Sequence, residues 1–379
     1  MELVNLSNSY GDFYAPAYAV RVAGDDLLRK LQVAVSQVEV DMVLGAASRF
    51  TFTLTDCYSQ KLHAFKTGRG DDLLDLLTFG ADVEICMGYG DAGSTPTAVR
   101  GMVTEITTSF PEAGSPELIV SGYDHGFLLT LGKNSDSWHD RADSDVVQQI
   151  ASFHNLNAVI EPTLEQRPQI EQNQQSDWDF LKKLAERNSD DRSNHFELYV
   201  DVEGIQKRPT LHFGRPRVLA APVVRLSWGE GLLSFKPQAN LGGQVSRVEV
   251  YGWDIRRKEA IVGRASADDG SSAQGKSVGR YLNAFVRAPD KQPTLRLRQP
   301  VFTQSEANQR AKAALSERTK TFLTGDAEAI GLPELRPDRT VQIDNLGPSF
   351  SKTYYIEQAT HRIDTNGYRT RFKVRETKL

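Results

Sequence analysis

The sequence predicts a mainly β protein with α+β insertions, built as two antiparallel β-barrel-like domains or curled sheets plus accessory helical segments. Three observations lead there. Apolar and polar residues alternate with a period of two over many short stretches, as half-buried strands require. Gly, Pro and Asn-Gly signals separate those stretches. Only three segments carry the three-and-four spacing of an amphipathic helix. The 379 residues suit two or three domains and can bury a large core without a disulfide or metal staple.

The elements follow in order. Arg49 to Thr55 sets Phe50, Phe52 and Leu54 against Thr51, Thr53 and Thr55. A short apolar turn (Leu73, Leu74, Leu76, Leu77) leads to a strand at Ala81 to Tyr89, and a Gly- and Pro-bearing loop leads on to Val99 to Thr107. Leu118 to Tyr123 closes a meander over residues 1–125, the first barrel.

Residues 126–200 read as an α+β insertion with two helices. Asp143 to Leu156 places Val146, Val147, Ile150 and Phe153 on one face, with Asp143 or Ser144 as N-cap. After a polar stretch rich in Gln and Glu, Ser176-Asp177-Trp178-Asp179 forms a capping box ahead of the stripe Phe180, Leu181, Leu184 and Ala185.

Residues 201–379 read as a second barrel region, with short strands at Thr210 to Phe213, Val223 to Ser227 and Val245 to Trp253. Ser266 to Gly279 reads as a surface loop. Thr303 and Glu306 open a third helix to Thr321, with Ala307, Ala311, Ala314 and Leu315 as its buried stripe. The end is a hairpin, Thr353 to Ile363 and Tyr368 to Arg375, turned by Asp364-Thr365-Asn366-Gly367. No internal repeat is visible by eye.

Composition excludes several function classes. The formal net charge is −4, with no overall excess to attract a polyanion. Cys57 and Cys86 form no CxxC, so no zinc ribbon is indicated. No apolar run reaches the length of a membrane span, and the N-terminus does not read as a secretory signal. Synthesis and folding in the cytosol are expected.

The search for chemistry finds no phosphate-binding glycine turn between a strand and a helix, and no GxSxG elbow. The seven histidines (63, 125, 139, 154, 195, 212 and 361) include no HxH or HExxH pair. Asp136, His139, Asp140, Asp143 and Asp145 crowd Trp138, which reads as a solvated helix entry in preference to a cation site. His361, near Tyr355 and Glu357, reads as a structural histidine, since no nucleophile accompanies it. Glu161, Glu165 and Glu171 are acids of no specific pattern. Arg296 and Arg298, then Arg369, Arg371, Lys373 and Arg375, form basic strand faces. The aromatics of the last strand lie opposite them, which favours a solvated face or a charged subunit contact over base stacking. No catalytic, cofactor or metal residue is assigned.

Several blocks are similar to one family. Val99-Arg100-Gly101-Met102-Val103-Thr104-Glu105-Ile106 with Leu118-Ile119-Val120-Ser121-Gly122-Tyr123-Asp124 resembles the phage late control protein D family. These are baseplate hub proteins of contractile tails, related to the first part of type VI secretion valine-glycine-repeat spike proteins. Gln175 to Leu181, Trp228 to Pro237, Val248 to Asp254 and the final segment from Gly331 to Thr370 fit the same family, in order along nearly the whole chain.

The resemblance implies a structural, non-enzymatic hub. Three chains would form a ring of six barrels in pseudo-sixfold arrangement, adapting a hexameric tube to a trimeric spike. The sequence ends at Leu379, without the oligonucleotide-binding fold or triple β-helix of hub–spike fusions, so the expected spike is a separate trimeric polypeptide. Inner-tube or tube-initiator proteins and other baseplate proteins are the further expected partners, with no stable nucleic-acid or lipid ligand and no cofactor. The particle, whether phage tail or extracellular injection system, would assemble in the bacterial cytoplasm. Candidate interface or core residues are Trp228, Phe235, Tyr251, Trp253, Tyr355 and His361, with Tyr251 and Trp253 expected in the second barrel or at a subunit boundary. The alternatives are a tail-tip peptidoglycan hydrolase, which needs a carboxylate pair, and a nucleic-acid-binding barrel.

Overall fold

The computed structural model describes the whole chain except residues 164, 189–193, 203–207, 255–257, 268–275, 287–290, 299–300 and 302. The chain starts with α1 (Leu3–Ser9) and then builds β1 (Pro16–Val22), β2 (Asp25–Asp26), β3 (Ala34–Val43) and β4 (Arg49–Thr55). A small hairpin, β5 (Tyr58–Ser59) and β6 (Ala64–Phe65), precedes α2 (Leu73–Leu76), which replaces the expected apolar turn. Asp72 caps it by accepting from the Leu74 N–H. Then come β7 (Asp82–Tyr89), β8 (Thr97–Ser109) and β9 (Glu117–Asp124). These strands lie side by side in the order β2-β1-β7-β8-β9-β4-β3. Phe50, Phe52 and Leu54 point into one core with Val38, Val40, Ile85 and Val120, as the alternation predicts.

Gly101 and Gly122 explain part of the family-like blocks. A Cβ on Gly101 would sit 2.0 Å from the Tyr123 carbonyl oxygen, and one on Gly122 2.0 Å from that of Met102. Any side chain at either position would force β8 and β9 apart.

The insertion contains β10 (Asn134–Ala142), α3 (Asp143–Phe153), β11 (Asn157–Ile160), β12 (Gln166–Gln175), α4 (Asp177–Arg187), β13 (Glu197–Asp201) and β14 (Thr210–Gly214). The polar stretch expected between the helices is largely the strand β12, paired antiparallel with β10. β14 joins β11 and β13 in a three-stranded sheet, so that sheet reaches beyond residue 200. α4 starts as expected, with Ser176 accepting from the Asp179 N–H at 3.1 Å and Phe180, Leu181, Leu184 and Ala185 buried. The cap of α3 differs: Ala142 is the N-cap. Asp143 instead occupies the first helical position, where its carboxylate accepts from Arg187 Nε at 2.7 Å and Asn188 at 2.7 Å. A buried carboxylate takes a cationic partner before it caps a helix.

After the insertion come β15 (Val224–Trp228) and β16 (Gly231–Ala239). An excursion follows, with β17 (Arg247–Asp254), β18 (Glu259–Ser266), α5 (Val278–Phe285), β19 (Thr294–Arg298) and α6 (Gln304–Lys320). β18, β17 and β19 form their own sheet, over which α6 packs around Ala307, Ala311 and Leu315. Thr303 caps α6 through the Glu306 N–H at 3.1 Å. Ala313 is buried on α6, whereas Ala314 of the expected stripe is only partly so. Most of the expected loop at Ser266 to Gly279 lies outside the described residues.

The chain ends with β20 (Leu323–Ile330), β21 (Thr340–Asp344), β22 (Lys352–Asp364) and β23 (Gly367–Glu376). The order β22-β21-β15-β16-β20-β23, with β22 also paired to β23, closes a six-stranded barrel. In the final hairpin Asp364 pairs with Gly367, so the turn falls on Thr365-Asn366 and Gly367 takes the positive φ of 94°. β22 also pairs with β3, which fuses both strand sets into one continuous sheet.

The two sets repeat one another. Going round, β1-β7-β8-β9-β4-β3 follows the same permutation of chain order as β15-β21-β22-β23-β20-β16. Register agrees as well. Phe50 faces Gly122 where Gly325 faces Val374, and Asp82 faces Met102 where Thr340 faces Tyr355. Bulges recur at matching places: Thr104 on β8 and Glu357 on β22, Ser36 on β3 and Leu233 on β16. The sets differ in their first strand, since β1 is antiparallel to β7 while β15 is parallel to β21. They also differ in closure: β15 meets β16 through Ser227–Gly231 and Trp228–Leu232, whereas β1 and β3 do not pair.

Candidate functional site

Eight adjacent strands, β8-β9-β4-β3-β22-β23-β20-β16, turn one face into the two cores and the other outward. Period-two alternation makes most of that outward face polar, with Ile119, Tyr123 and Val43 as apolar members among the polar residues. On the first half it carries Glu105, Thr107, Ser121, Arg49, Thr51 and Thr53, and at the junction Glu39, Asp41, Gln358, Thr360 and Arg362. On the second half it carries Arg369, Arg371, Lys373, Asp326, Glu328 and Lys236.

Cross-strand pairs tie this face together. Arg49 meets Glu105 at 2.8 Å, and Thr51 meets Ser121 at 3.0 Å. Across the seam between the two strand sets, Gln358 and Thr360 both donate to Asp41 at 2.8 Å, and Arg362 reaches Gln37 at 3.0 Å and Glu39 at 3.5 Å. Glu328 takes Arg369 at 2.9 Å and Arg371 at 3.5 Å, and the hydrogen bond from Arg369 holds its carboxyl below the usual carboxylate range. Over β16, β20, β22 and β23 the face is hollowed into a solvent-open concavity of about 370 Å³, lined by Lys236, Glu328, Thr360, Arg371 and Lys373 among others.

The basic strand of the sequence reading is therefore split. Arg369 and Arg371 share the single carboxylate of Glu328, and Arg296 pairs with Glu249 at 3.3 Å. Arg375, expected on the same outward stripe, is instead buried: it pairs with Glu197 at 3.2 Å and Glu357 at 3.1 Å and lies 4.7 Å from the Tyr355 ring centroid. Burial of a guanidinium is tolerated here because carboxylates and an aromatic face surround it.

The candidate residues are dispersed over the molecule. His361 is fully buried beneath the seam, its Nε2–H donating to the Leu335 carbonyl at 2.9 Å and its Nδ1 accepting from the Tyr368 hydroxyl at 2.8 Å. Burial, with Arg336 nearby, pushes its pKa down to about 3, so it is a neutral structural group. Tyr355 is buried and donates to Asp338 at 2.9 Å. Asp338 also accepts from the Tyr199 hydroxyl at 2.9 Å and the Arg217 N–H at 2.8 Å, which pins the insertion to the second barrel. Phe235 is half-buried, edge-on to Tyr354 at 5.4 Å. Trp228 stands 63% exposed at the end of β15.

Tyr251 and Trp253 do not pack in the second barrel. They lie on β17 of the separate three-stranded sheet, where the Tyr251 hydroxyl donates to Glu249 and Trp253 is 53% exposed. The β17 alternation announces a strand but not which sheet receives it.

The acidic group around Trp138 is also drawn apart. Asp143 turns to Arg187, Asp145 accepts from the Ala142 N–H at 3.2 Å, and Ser137 meets His139 at 3.4 Å. His154 is held by Asp177 at 2.7 Å. A second, small cavity of about 20 Å³ lies between the first strand set and the insertion, bordered by Met42, Val99, Asp124 and Tyr199. Arg336 spans it, donating to the Ala98 carbonyl and to Asp201 at 2.7 Å each. Sequence reasoning missed both Arg336 and Asp338, which sit in a loop between β20 and β21 with no local pattern.

A family model described as the Alg8 N-terminal domain matches residues 15–365. The chain belongs to that family. Solved structures place its fold among tail proteins. A 43 kDa tail protein of prophage MuSo2 from Shewanella oneidensis is similar over 95% of this chain and 98% of its own, at TM-score 0.70 and 11% identity. A tail protein from Neisseria meningitidis matches over 96% and 97%, at TM-score 0.69 and 13% identity. An Escherichia coli type VI secretion component, described as similar to phage T4 tail proteins gp27 and gp5, matches over 94% of this chain and 76% of its own, at TM-score 0.54 and 13% identity. In sequence, the probable baseplate hub protein of Escherichia phage P2 is 37% identical over 79 residues, a stretch covering 20% of either protein. The hub-protein resemblance and the β class read from the sequence both stand on these findings.

Proposed function

We propose that the chain is the central hub of a contractile tail or injection-system baseplate, a homotrimeric ring that joins a sixfold tube to a threefold spike. The observation that carries this reading is the internal repeat. One chain holds two strand sets of equal order and register, so three chains offer six near-equivalent units to a sixfold partner while keeping threefold symmetry for another. The hub name of the phage P2 relative agrees with it.

In this proposal the polar face lines the ring's channel. Its acids and bases come in nearly equal numbers, several of them paired, and hydroxyls fill much of the remainder, so it offers a wetted wall without a strong charge of either sign. The role is structural, not catalytic. Residues 1–125 and 201–379 hold the two units, with the insertion and the β17–α6 excursion on the periphery. The expected partners are the spike, the tube or tube initiator and the other baseplate proteins, and assembly takes place in the bacterial cytoplasm. No helix among the described residues is long and apolar enough to cross a membrane.

Light scattering on the purified protein is the test. Three chains per particle, with a ring in negative-stain images, are expected. A monomer at micromolar concentration, or clearing of cell-wall suspensions that one Glu or Asp substitution abolishes, overturns the reading.

A further inference from the structure

We infer that the ring closes through one defined strand pair, β16 of one copy against the outer half of β8 in the next; this rests on the trimeric reading above. Two strand edges of the described chain are unpaired. β7 pairs with β8 as far as Met102, and Gly80 and Ala81 bond to Val103, but among the described residues no strand lies beside Thr104–Ser109 on the side away from β9. β15 meets β16 at Gly231 and Leu232, and no strand lies beside Leu233–Ala239 on the side away from β20. Bare edges of this length are sites of strand addition.

The repeat says what belongs there. β22 is the counterpart of β8, and beyond its pairing with β21 its outer half is covered by β3, from Gln358–Val43 to Ile363–Val38. β3 is in turn the counterpart of β16. Within one chain, β3, the last strand of the first set in sheet order, therefore covers the outer half of β22, and the same operation carried to a second copy sets β16 on β8.

The shared bulges fix the register. Counting from Thr104 and Glu357 aligns Gln358 with Glu105 and Ile363 with Phe110; counting from Ser36 and Leu233 aligns Val38 with Phe235. The predicted pairs then run from Glu105 opposite Asn240, through Thr107 opposite Gln238, to Phe110 opposite Phe235.

Side chains agree with this placement. Val38 and Ile363, which meet inside the chain, are buried. Their counterparts Phe235 and Phe110 are both aromatic, yet Phe110 is 59% exposed and Phe235 only half-buried. Ile106 stands half-buried and Ala239 exposed at positions matching the buried Ala359 and Met42. Phe110 leans on the rings of Tyr58 and Phe65 at 5.4 and 5.9 Å yet stays exposed on its other side, so the core-side pattern continues to both edges without a full cover. Pro237, opposite Thr108, has no N–H, which removes one rung and suits a strand that is an edge in the free chain.

The test uses the full chain carrying Thr107→Cys and Gln238→Cys, oxidised and run on a non-reducing gel, beside native mass. Directly opposed antiparallel residues bring Cβ atoms within disulfide reach, whereas residues two positions off lie about 7–8 Å apart. A native trimer that becomes a covalent trimer supports the seam, provided that Thr107→Cys with Lys236→Cys cross-links at least about ten-fold less. A native trimer without the Thr107–Gln238 cross-link overturns the seam and leaves the hub reading intact. A monomeric wild-type chain overturns both. A second variant, Phe110→Asp, keeps its circular dichroism and needs at least about ten-fold more protein to form trimers if the seam is right; unchanged assembly counts against it.

Discussion

His361 gives the sharpest quantitative test of the folded core. Its imidazole is fully buried, neutral, and satisfied on both nitrogens, and burial pushes its pKa down to about 3. An unfolded histidine titrates near 6.5. Because the folded value is depressed, the stabilisation is complete above pH 6.5 and drains away as pH falls toward 3. The ceiling is roughly 5 kcal/mol, and between pH 7.5 and pH 5 the loss comes to about 2 kcal/mol from this group alone. Asp124 acts in the opposite sense, because burial raises its carboxyl to about 7 and its protonated form is favoured in the folded state. The two must be separated. His361→Asn does so: denaturant titrations followed by tryptophan fluorescence, at pH 7.5 and 5.0, are expected to show wild type losing about 2 kcal/mol more than the variant over that interval. Equal losses in the two proteins would refute the assignment of His361 as a buried neutral group.

Three further outcomes follow from the packing. Asp338→Ala strips an acceptor from the Tyr199 and Tyr355 hydroxyls and the Arg217 N–H, and is expected to cost about 3 kcal/mol in thermal or urea unfolding, with Asp338→Asn costing roughly half as much. Gly263→Val places a Cβ 2.1 Å from the Ala307 backbone, so α6 must lift; a loss above about 2 kcal/mol and faster amide exchange in Gln304–Lys320 are expected. Trp253→Ala removes a half-exposed ring outside both barrels and is expected to change the stability of the folded chain by less than about 1 kcal/mol, as read by differential scanning calorimetry.

The sequence disclosed strands where alternation was clean and uninterrupted, as in Arg49–Thr55, which the structure reproduces as β4. It hid strands whose period is broken near the start. Ser36 and Leu233 bulge out of β3 and β16, so apolar residues on either side of each bulge fall out of phase. β20 was hidden for another reason: its core side includes Gly325, Ala327 and Ala329, which carry little hydrophobic signal. β12 is polar on almost every residue, with Ile170 and Gln172 alone turned inward.

The internal repeat escaped notice because its two copies exchange volume across the same contact. Phe50 on β4 fills the space above Gly122 on β9, whereas in the second set the glycine is Gly325 on β20, covered by Phe235 and Val374. Equal packing is reached with opposite residues, and alignment by eye sees no kinship. The polar face was legible strand by strand, as threonines and arginines in alternation, but its continuity depends on β3 lying beside β22, a contact between residues more than 300 positions apart.

The position of α1 bears on biosynthesis. Leu3 and Leu6 belong to the core of the second barrel, together with Leu226, Ile343, Ile356 and Phe372. They are made before every strand of that barrel, yet the pocket that receives them is finished only when β22 and β23 have emerged. The nascent chain must therefore keep α1 undocked until β23 is made, and a product interrupted before that point has nowhere to put it.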